Sequence, residues 1–266
     1  MTTIARVQQL ELRLTRDEPA IAAAQRLRYQ VFYEEMGAVP TAAMRTTRLD
    51  ADRFDAVADH LVVVDLDRST ERRPEIVGCY RVLRESVARD QGGFYTAGEF
   101  DLGAVRAPYG EIMELGRSCV APEYRTGAVM QLLWRGIADY LDRHGVGLML
   151  GCASLPGTDP DSVAPALSFL HHHVLAPPEL RPRAVADRYV RIDRLPVEAI
   201  DSRAALRLLP PLLKAYLRMG GMIGDGAVID RQFNTIDVCL VLPTEKVRAN
   251  YLRHYRQQRV PAAAAA

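Results

Sequence analysis

The sequence predicts an α/β fold, a central mixed β-sheet flanked by helices, with an additional helical and irregular segment after the fifth strand. Two observations predict it. Short runs of apolar and β-branched residues alternate along the chain with longer runs of 3.6-residue periodicity. The 266 residues are 48% hydrophobic and 25% charged, which suffices for one large buried core. A single domain over 1–258 is expected, with the alanine-rich end, 259–266, as a disordered tail.

In order, residues 4–14 are expected to form an opening strand, and 17–36 a helix with Ile21, Ala24, Leu27, Val31 and Phe32 on one face. The stretch 37–58 is polar and rich in Thr, Arg and Asp, a candidate substrate loop. HLVVVDL (60–66) and EIVGCYRVLR (75–84) read as strands joined by a charged hairpin-type link. EIMELGRSCV (111–120) is a further strand, ended by Ala121 and Pro122. It leads into an amphipathic helix with Val129, Met130, Leu133, Ile137, Tyr140 and Leu141 on one arc. Gly145 closes that helix before the strand GLMLGCAS. Residues 155–203 mix Pro, His and Arg without a period. Beyond them lie a proline-started helix at 210–219, a glycine-rich turn or short strand at 221–230 and the closing strand TIDVCLVLP.

Composition narrows the function classes. Thirty-four Lys and Arg against 33 Asp and Glu leave a formal charge of +1, so overall electrostatics do not point to nucleic acid. Cys79, Cys119, Cys152 and Cys239 have no CxxC spacing and read as buried, reduced thiols. The first residues, MTTIARVQQLELRL, lack the pattern of a secretory signal, and no run approaches the ~20 apolar residues of a spanning helix. A cytoplasmic location is expected, with peripheral attachment to the inner membrane left open.

Charged residues at positions that the pattern reserves for apolar ones are the first sign of chemistry. Helical spacing puts Arg28 and Glu35 inside the apolar arc of the first helix, and Arg81 shares a strand face with Val77, Cys79 and Leu83. Glu114 alternates with Ile112 and Gly116, whereas Arg117 falls on the opposite face unless a bulge intervenes. One reading is a buried ion-pair network, such as Arg28 with Glu35; the other is a polar pocket. Arg125 and Gly127 stand at a helix start, either a phosphate-binding N-terminus or a plain one. His171, His172 and His173 point in different directions on a helix, with no ligand spacing, and read as structural; no metal site is expected. Arg207, Lys214 and Arg218 oppose Leu209, Leu212, Leu213 and Tyr216, a solvated face or one suited to an acidic carrier protein or anionic membrane.

The run V-x-P-E-Y-R-x-G before an amphipathic helix resembles the acyl-CoA motif of the GNAT superfamily, although RTGAVM departs from the usual R-G-x-G-x-G/A loop. Autoinducer synthases, which take acyl chains from acyl carrier protein, share that departure. LRYQVFYEEMG with Arg28 and Phe32, GCYRVLR with Arg81 and ELGRSCV with Glu114 and Arg117 also resemble theirs. ELGRSCVAPEYR, GTDPDSVAPALSFLHHHVLAPPELRPRA and LPPLLKAYLRMGGMIGDGAVIDRQFNTIDVCLV together look more like the L-ornithine N(α)-acyltransferases, over about 24–255. The resemblance implies a GNAT-like acyltransferase fold and transfer of a 3-hydroxyacyl group from acyl carrier protein to the α-amine of ornithine.

An ammonium must lose a proton before it attacks a thioester, and Glu114 is the expected base, pairing with an arginine being the plainer alternative. Ornithine's carboxylate calls for Arg28, Arg81 or Arg117, with Phe32 beside them, and its distal ammonium for Asp50, Asp52 or Asp55. The acyl-phosphopantetheine of the carrier protein is expected at Cys119, Val120, Arg125, Gly127 and Ala128, with backbone N–H groups near Cys119 and Val120 receiving the oxyanion. No tightly bound cofactor is expected. An autoinducer synthase that lactonises its acceptor, and a non-catalytic carrier-protein or ligand-binding module, remain alternatives at this point.

Overall fold

Two short amphipathic runs, not one, open the chain in the computed structural model, which describes residues 2–7, 9–70, 73–105, 109–245 and 247. Strands β1 (Thr2–Val7) and β2 (Leu10–Thr15) form a hairpin where a single strand over 4–14 was expected. In the sequence the polar pair Gln8 and Gln9 interrupts the alternation between the two runs. The expected tail at 259–266 lies outside the described residues.

Helix α1 (Glu18–Tyr29) carries Pro19 in its first turn, where a missing N–H has no partner to lose. It continues as a π-helical turn over Gln30–Glu35. Because the i→i+5 winding advances each residue by less than 100°, Glu35 leaves the arc of Arg28 and reaches the surface. Helix α2 (Ala42–Thr47), N-capped by the Thr41 hydroxyl accepting from Met44 N–H at 3.2 Å, interrupts the expected loop.

Strands β3 (Asp59–Thr70) and β4 (Arg73–Arg84) pair antiparallel, as the short hairpin-type link between them predicted. After α3 (Glu85–Ala88) and β5 (Phe100–Asp101) come β6 (Glu111–Val120), α4 (Ala128–His144) and β7 (Val146–Pro156). Gly145 ends α4 with φ 60°, a left-handed conformation that glycine adopts at little cost. The fifth expected strand is β7, and the irregular segment after it holds α5 (Ala164–Val174), β8 (Arg183–Ala184) and α6 (Ser202–Leu208). Helix α7 (Pro211–Arg218) and strands β9 (Met222–Ile223), β10 (Val228–Asp230) and β11 (Thr235–Pro243) complete the fold.

The main sheet runs β1-β2-β3-β4-β6-β7-β11-β10, with β9 also on β11 and β5 paired separately with β8. Among the described strands only β6 and β7 run parallel, and they do so briefly, from Glu111 opposite Val146 to Glu114 opposite Leu150. Beyond that point β6 stays with β4, β7 stays with β11, and the two strands part. Gly78 and Gly136 admit α4 against one face, where a Cβ on Gly78 would stand 2.3 Å from Val129 Cγ1. Alternation turns Cys79 and Arg81 to the other face, toward α1.

At the last point before the strands separate, a Cβ on Gly151 would lie 2.3 Å from the Leu115 carbonyl oxygen. Gly151→Ala is therefore expected to destabilise the fold by about 1–3 kcal/mol. Chemical denaturation would show this as a lower midpoint with unchanged slope, and an unaltered midpoint would contradict the close approach.

Candidate active site

A bulge in β6 assembles the site. Cys79 pairs with Cys119 but Arg81 with Gly116, so β6 has one residue more than β4 over this stretch. Arg117 takes φ 51°, a left-handed conformation costly for a residue with a Cβ. The extra residue reverses the alternation and brings Arg117 onto the face of Glu114 and Arg81.

There Arg117 joins a network of three arginines and three aspartates. Arg28 donates from Nε to Asp50 Oδ2 at 2.7 Å and from Nη2 to both Asp55 oxygens at 2.9 Å. Arg81 Nη1 reaches Asp52 at 2.6 Å and Asp55 at 3.3 Å. Arg117 reaches Asp50 from Nε and Asp52 from Nη2, both at 3.1 Å. Burial would raise the Asp55 carboxyl, but Arg28 and Arg81 outweigh it and hold the pKa at about 2. Burial likewise opposes the charge of Arg117, and Asp50, Tyr95 and Asp52 more than restore it.

The expected buried network thus exists with different partners. Arg28 pairs with Asp50 and Asp55; Glu35, rotated out by the π turn, grips Arg125 through two bonds of 2.5 and 2.7 Å. Asp50, Asp52 and Asp55 are engaged by arginine and do not line the cavity, which removes them as ligands for a distal ammonium. Arg28 is likewise behind the cavity wall, and its role is to hold the 50–55 loop.

Where β6 and β7 part, a cavity of about 490 Å³ opens, with Glu114, Arg81, Arg117 and Phe32 in its wall. Only Nη1 of Arg81 is engaged by the aspartates, which leaves its Nη2 for a carboxylate, whereas Arg117 also hydrogen-bonds the Tyr95 side chain beside the cavity. Glu114 does not pair with an arginine. Its Oε1 accepts from Thr96 N–H at 2.6 Å and Thr96 Oγ1 at 2.5 Å, and Oε2 from Tyr95 N–H at 3.0 Å. Burial raises its pKa, against the pull of Thr96, Tyr95 and Arg81. A fixed carboxylate with raised proton affinity is suited to accept a proton.

The donor side is built on the end of β6. Ala121 N–H bonds to Val77 O on β4, so alternation turns the Cys119 amide toward β4 and the Val120 amide and carbonyl toward the splay. Val120 O indeed accepts from Arg125 Nε at 3.0 Å. Cys119, Val120 and Arg125 line the cavity; Gly127, with φ 99°, and Ala128 start α4 beyond it. On the far wall, Leu212, Leu213 and Tyr216 of α7 turn their apolar faces inward.

Among the wall residues that the sequence reading did not place in the site are Tyr95, Thr96, Cys152 and Asp237. Tyr95 and Thr96 lie in a stretch without periodicity, which leaves no signal. Asp237 interrupts an otherwise apolar strand, the same sign that marked Arg81 and Glu114. Glu99, Cys152 and Asp237 place donor atoms within 4.8 Å of one another beside this wall. Burial and the neighbouring Asp237 raise Glu99 to about 7, and burial raises Asp237 to about 6. The three histidines stay out of the cavity: His172 Nε2 bonds with Leu195 O at 3.0 Å and His173 packs on Phe169.

A parallel strand pair that parts over a carboxylate-bearing cavity, followed by a turn and helix, is the frame of an N-acyltransferase of the GNAT class, and the acetyltransferase (GNAT) domain family matches residues 27–135. An L-ornithine N(alpha)-acyltransferase of Agrobacterium fabrum is 48% identical over 253 residues, covering 94% of this chain and 86% of that protein. One from Rhizobium meliloti is 46% identical over 254 residues, with 95% and 86% covered. The chain belongs to the L-ornithine N(alpha)-acyltransferase family. Among solved structures, the acyl-homoserine-lactone synthase LasI aligns over 91% of this chain and 93% of its own, with 12% identity and a TM-score of 0.47.

Removing one partner of the buried network leaves uncompensated charge, so Arg28→Ala is expected to lower unfolding free energy by about 3–5 kcal/mol. A loss within 1 kcal/mol in denaturant titration would contradict that burial. The acidic pair works in the opposite sense to Asp55. Asp55, held at about 2, adds stability above its unfolded value near ~4 that disappears as pH falls toward 2. Glu99, raised to about 7, favours its protonated form when folded, so stability falls as pH rises from about 4 to 7. Glu99→Gln is expected to flatten that decline in thermal unfolding measured across the interval; an unchanged slope would reject it.

Proposed function

We propose that this chain transfers a 3-hydroxyacyl group from the phosphopantetheine thioester of an acyl carrier protein to the α-amine of L-ornithine, giving a lyso-ornithine lipid. The observation that carries this reading is one cavity holding an anchored carboxylate, Glu114, beside the guanidinium groups of Arg81 and Arg117. The names of the family's members support ornithine as acceptor. In this reading the acceptor's carboxylate meets Arg81 and Arg117, which places its α-amine toward Glu114.

The amine nitrogen attacks the thioester carbonyl and forms the new C–N bond. Its proton passes to Glu114 directly or through water, and the Val120 amide, turned to the splay, donates to the oxyanion. As the tetrahedral intermediate collapses, the C–S bond breaks and the pantetheine sulfur leaves as thiol, taking up the proton. The apolar wall of Leu212, Leu213 and Tyr216, with Val31 and Met36, suits the acyl chain. Among the described residues no helix is long and apolar enough to cross a membrane. Exposed Leu206 and Leu208 beside exposed Arg203 and Arg207 on α6 suit peripheral contact with the anionic cytoplasmic face of the inner membrane, where the product belongs.

The test is mass spectrometry of products when the purified chain receives 3-hydroxyacyl carrier protein and a panel of free amino acids. N-acyl-ornithine is expected; a lactone, or no amide with any amino acid, would overturn the reading. Glu114→Gln is expected to lower kcat about 10²- to 10⁴-fold with a folded circular-dichroism spectrum. Turnover near that of the parent would remove Glu114 as the base.

A further inference from the structure

The proposed reaction leaves a pair of nucleophilic side chains unused. Cys79 on β4 and Cys119 on β6 are directly opposite each other in the antiparallel register, beside the bulge that carries Arg117. Their sulfurs are in hydrogen-bonding contact at 3.6 Å, both thiols are free, and both residues are buried. Cys119 also lines the cavity, which gives a small solute a route to the pair, while Cys79 lies behind the wall. Cys152 and Cys239 are likewise opposed, between β7 and β11, but their thiols turn elsewhere. Cys152 Sγ lies 3.3 Å from Glu99 Oε2 and 3.7 Å from Thr96 Oγ1, and Cys239 Sγ 3.9 Å from the Leu240 carbonyl oxygen.

Thiols this close can be joined by a peroxide. The Cys119 hydrogen bond and the Arg28 guanidinium, against burial, hold the Cys79 thiol below its ordinary range, whereas burial holds Cys119 well above it. A Cys79 thiolate is then the base for its neighbour. It takes the Cys119 proton as the Cys119 sulfur attacks one peroxide oxygen; the O–O bond breaks, leaving Cys119 sulfenic acid and hydroxide. The Cys79 sulfur next attacks the Cys119 sulfur, the S–O bond breaks, and the departing oxygen leaves as water with the Cys79 proton. The two sulfurs lose one electron each, and the peroxide gains both. The bridge would displace the site. Because Ala121 N–H bonds to Val77 O, Cys79 and Cys119, two residues along each strand, form a hydrogen-bonded pair, in which opposed Cβ atoms stand ~5.5 Å apart. A disulfide holds Cβ atoms at ~3.8 Å. Closing it draws β6 toward β4 between Arg117, whose carbonyl oxygen is 3.5 Å from Cys79 Sγ, and Val120, whose amide faces the splay.

We propose that Cys79 and Cys119 form a peroxide-sensitive disulfide site in the cavity wall: the reduced pair leaves Arg117 and the Val120 edge in place, and the bridged pair shifts both and slows turnover. Formation of the bond is independent of the acyl-transfer reading above, and its effect on turnover rests on that reading.

The experiment treats the purified chain with hydrogen peroxide, maps its disulfides by mass spectrometry of proteolytic peptides, and assays acyl transfer before and after dithiothreitol. A linked Cys79–Cys119 peptide is expected, with Cys152 and Cys239 still free. Turnover, kcat, is expected to fall about 10- to 100-fold, as a displacement near ~1 Å costs at a reacting site, and to recover with dithiothreitol. Cys79→Ser and Cys79→Ala are expected to keep the kcat of the reduced parent and to lose the sensitivity, since Cys119 then lacks both its base and its partner. Thermal unfolding shows which of the two variants is folded. Four free thiols after peroxide overturn the proposal, as does a bridged chain with unchanged kcat, or a folded Cys79 variant inactivated like the parent. If the reduced parent transfers no acyl group, the acyl-transfer reading fails, and the linked peptide alone decides whether the disulfide forms.

Discussion

A buried guanidinium has to be paired, and that constraint organises half of this molecule. Arg28 is 1% exposed, on a helix whose other inward residues are apolar. Its demand for carboxylates pulls the 50–55 loop across the sheet, and the loop's aspartates in turn require Arg81 from β4 and Arg117 from β6. Three positive and three negative groups close on themselves without net charge. The left-handed backbone at Arg117 is held by the same bonds, since its two contacts to Asp50 and Asp52 exist only with the bulge in place. Strain in one strand is thus offset by a network spanning four elements.

The consequence is a cavity whose walls have distinct polarity. The aspartates neutralise the arginines, so Arg81 and Arg117 in the cavity wall can orient a carboxylate without presenting a large uncompensated field. Glu114, by contrast, is fixed by neutral donors, two backbone amides and a hydroxyl, which leaves burial to raise its proton affinity. Had it paired with Arg81, its pKa would fall and its use as a base would weaken. The register that sends Glu114 toward Thr96 while the bulge sends Arg117 toward Asp50 separates these two duties by three residues of one strand.

Much of this was legible in the sequence because burial and charge conflict visibly there. Arg28, Arg81 and Glu114 stood out by breaking apolar periodicity, and each is buried. Partner identity was not legible, because pairing depends on winding and register. A helix of uniform 100° steps pairs Arg28 with Glu35; the π turn removes Glu35 and leaves Arg28 to residues 22 and 27 positions away. The opening hairpin was merged into one strand because two polar residues are a weak break. Tyr95 and Thr96 belong to a stretch shaped by tertiary contact alone, whereas Asp237 carried the same signature as Glu114 and could have been found by it.

The turn after β6 shows how a departure from a motif acquires physical meaning. A helix N-terminus binds phosphate when its amides are open and a nearby cation is free. Here Arg125 is committed on both sides, to Glu35 through two bonds and to Val120 O through a third, and it folds the loop back onto the π turn. A diphosphate approaching this turn would compete with Glu35 for the arginine, while a pantetheine arm, carrying amides rather than charge along its length, would need only the Val120 edge of the splay. That difference weighs toward the proposed carrier-borne donor. It also ties donor choice to the π turn, since the distortion that frees Arg28 for the aspartates is what delivers Glu35 to Arg125.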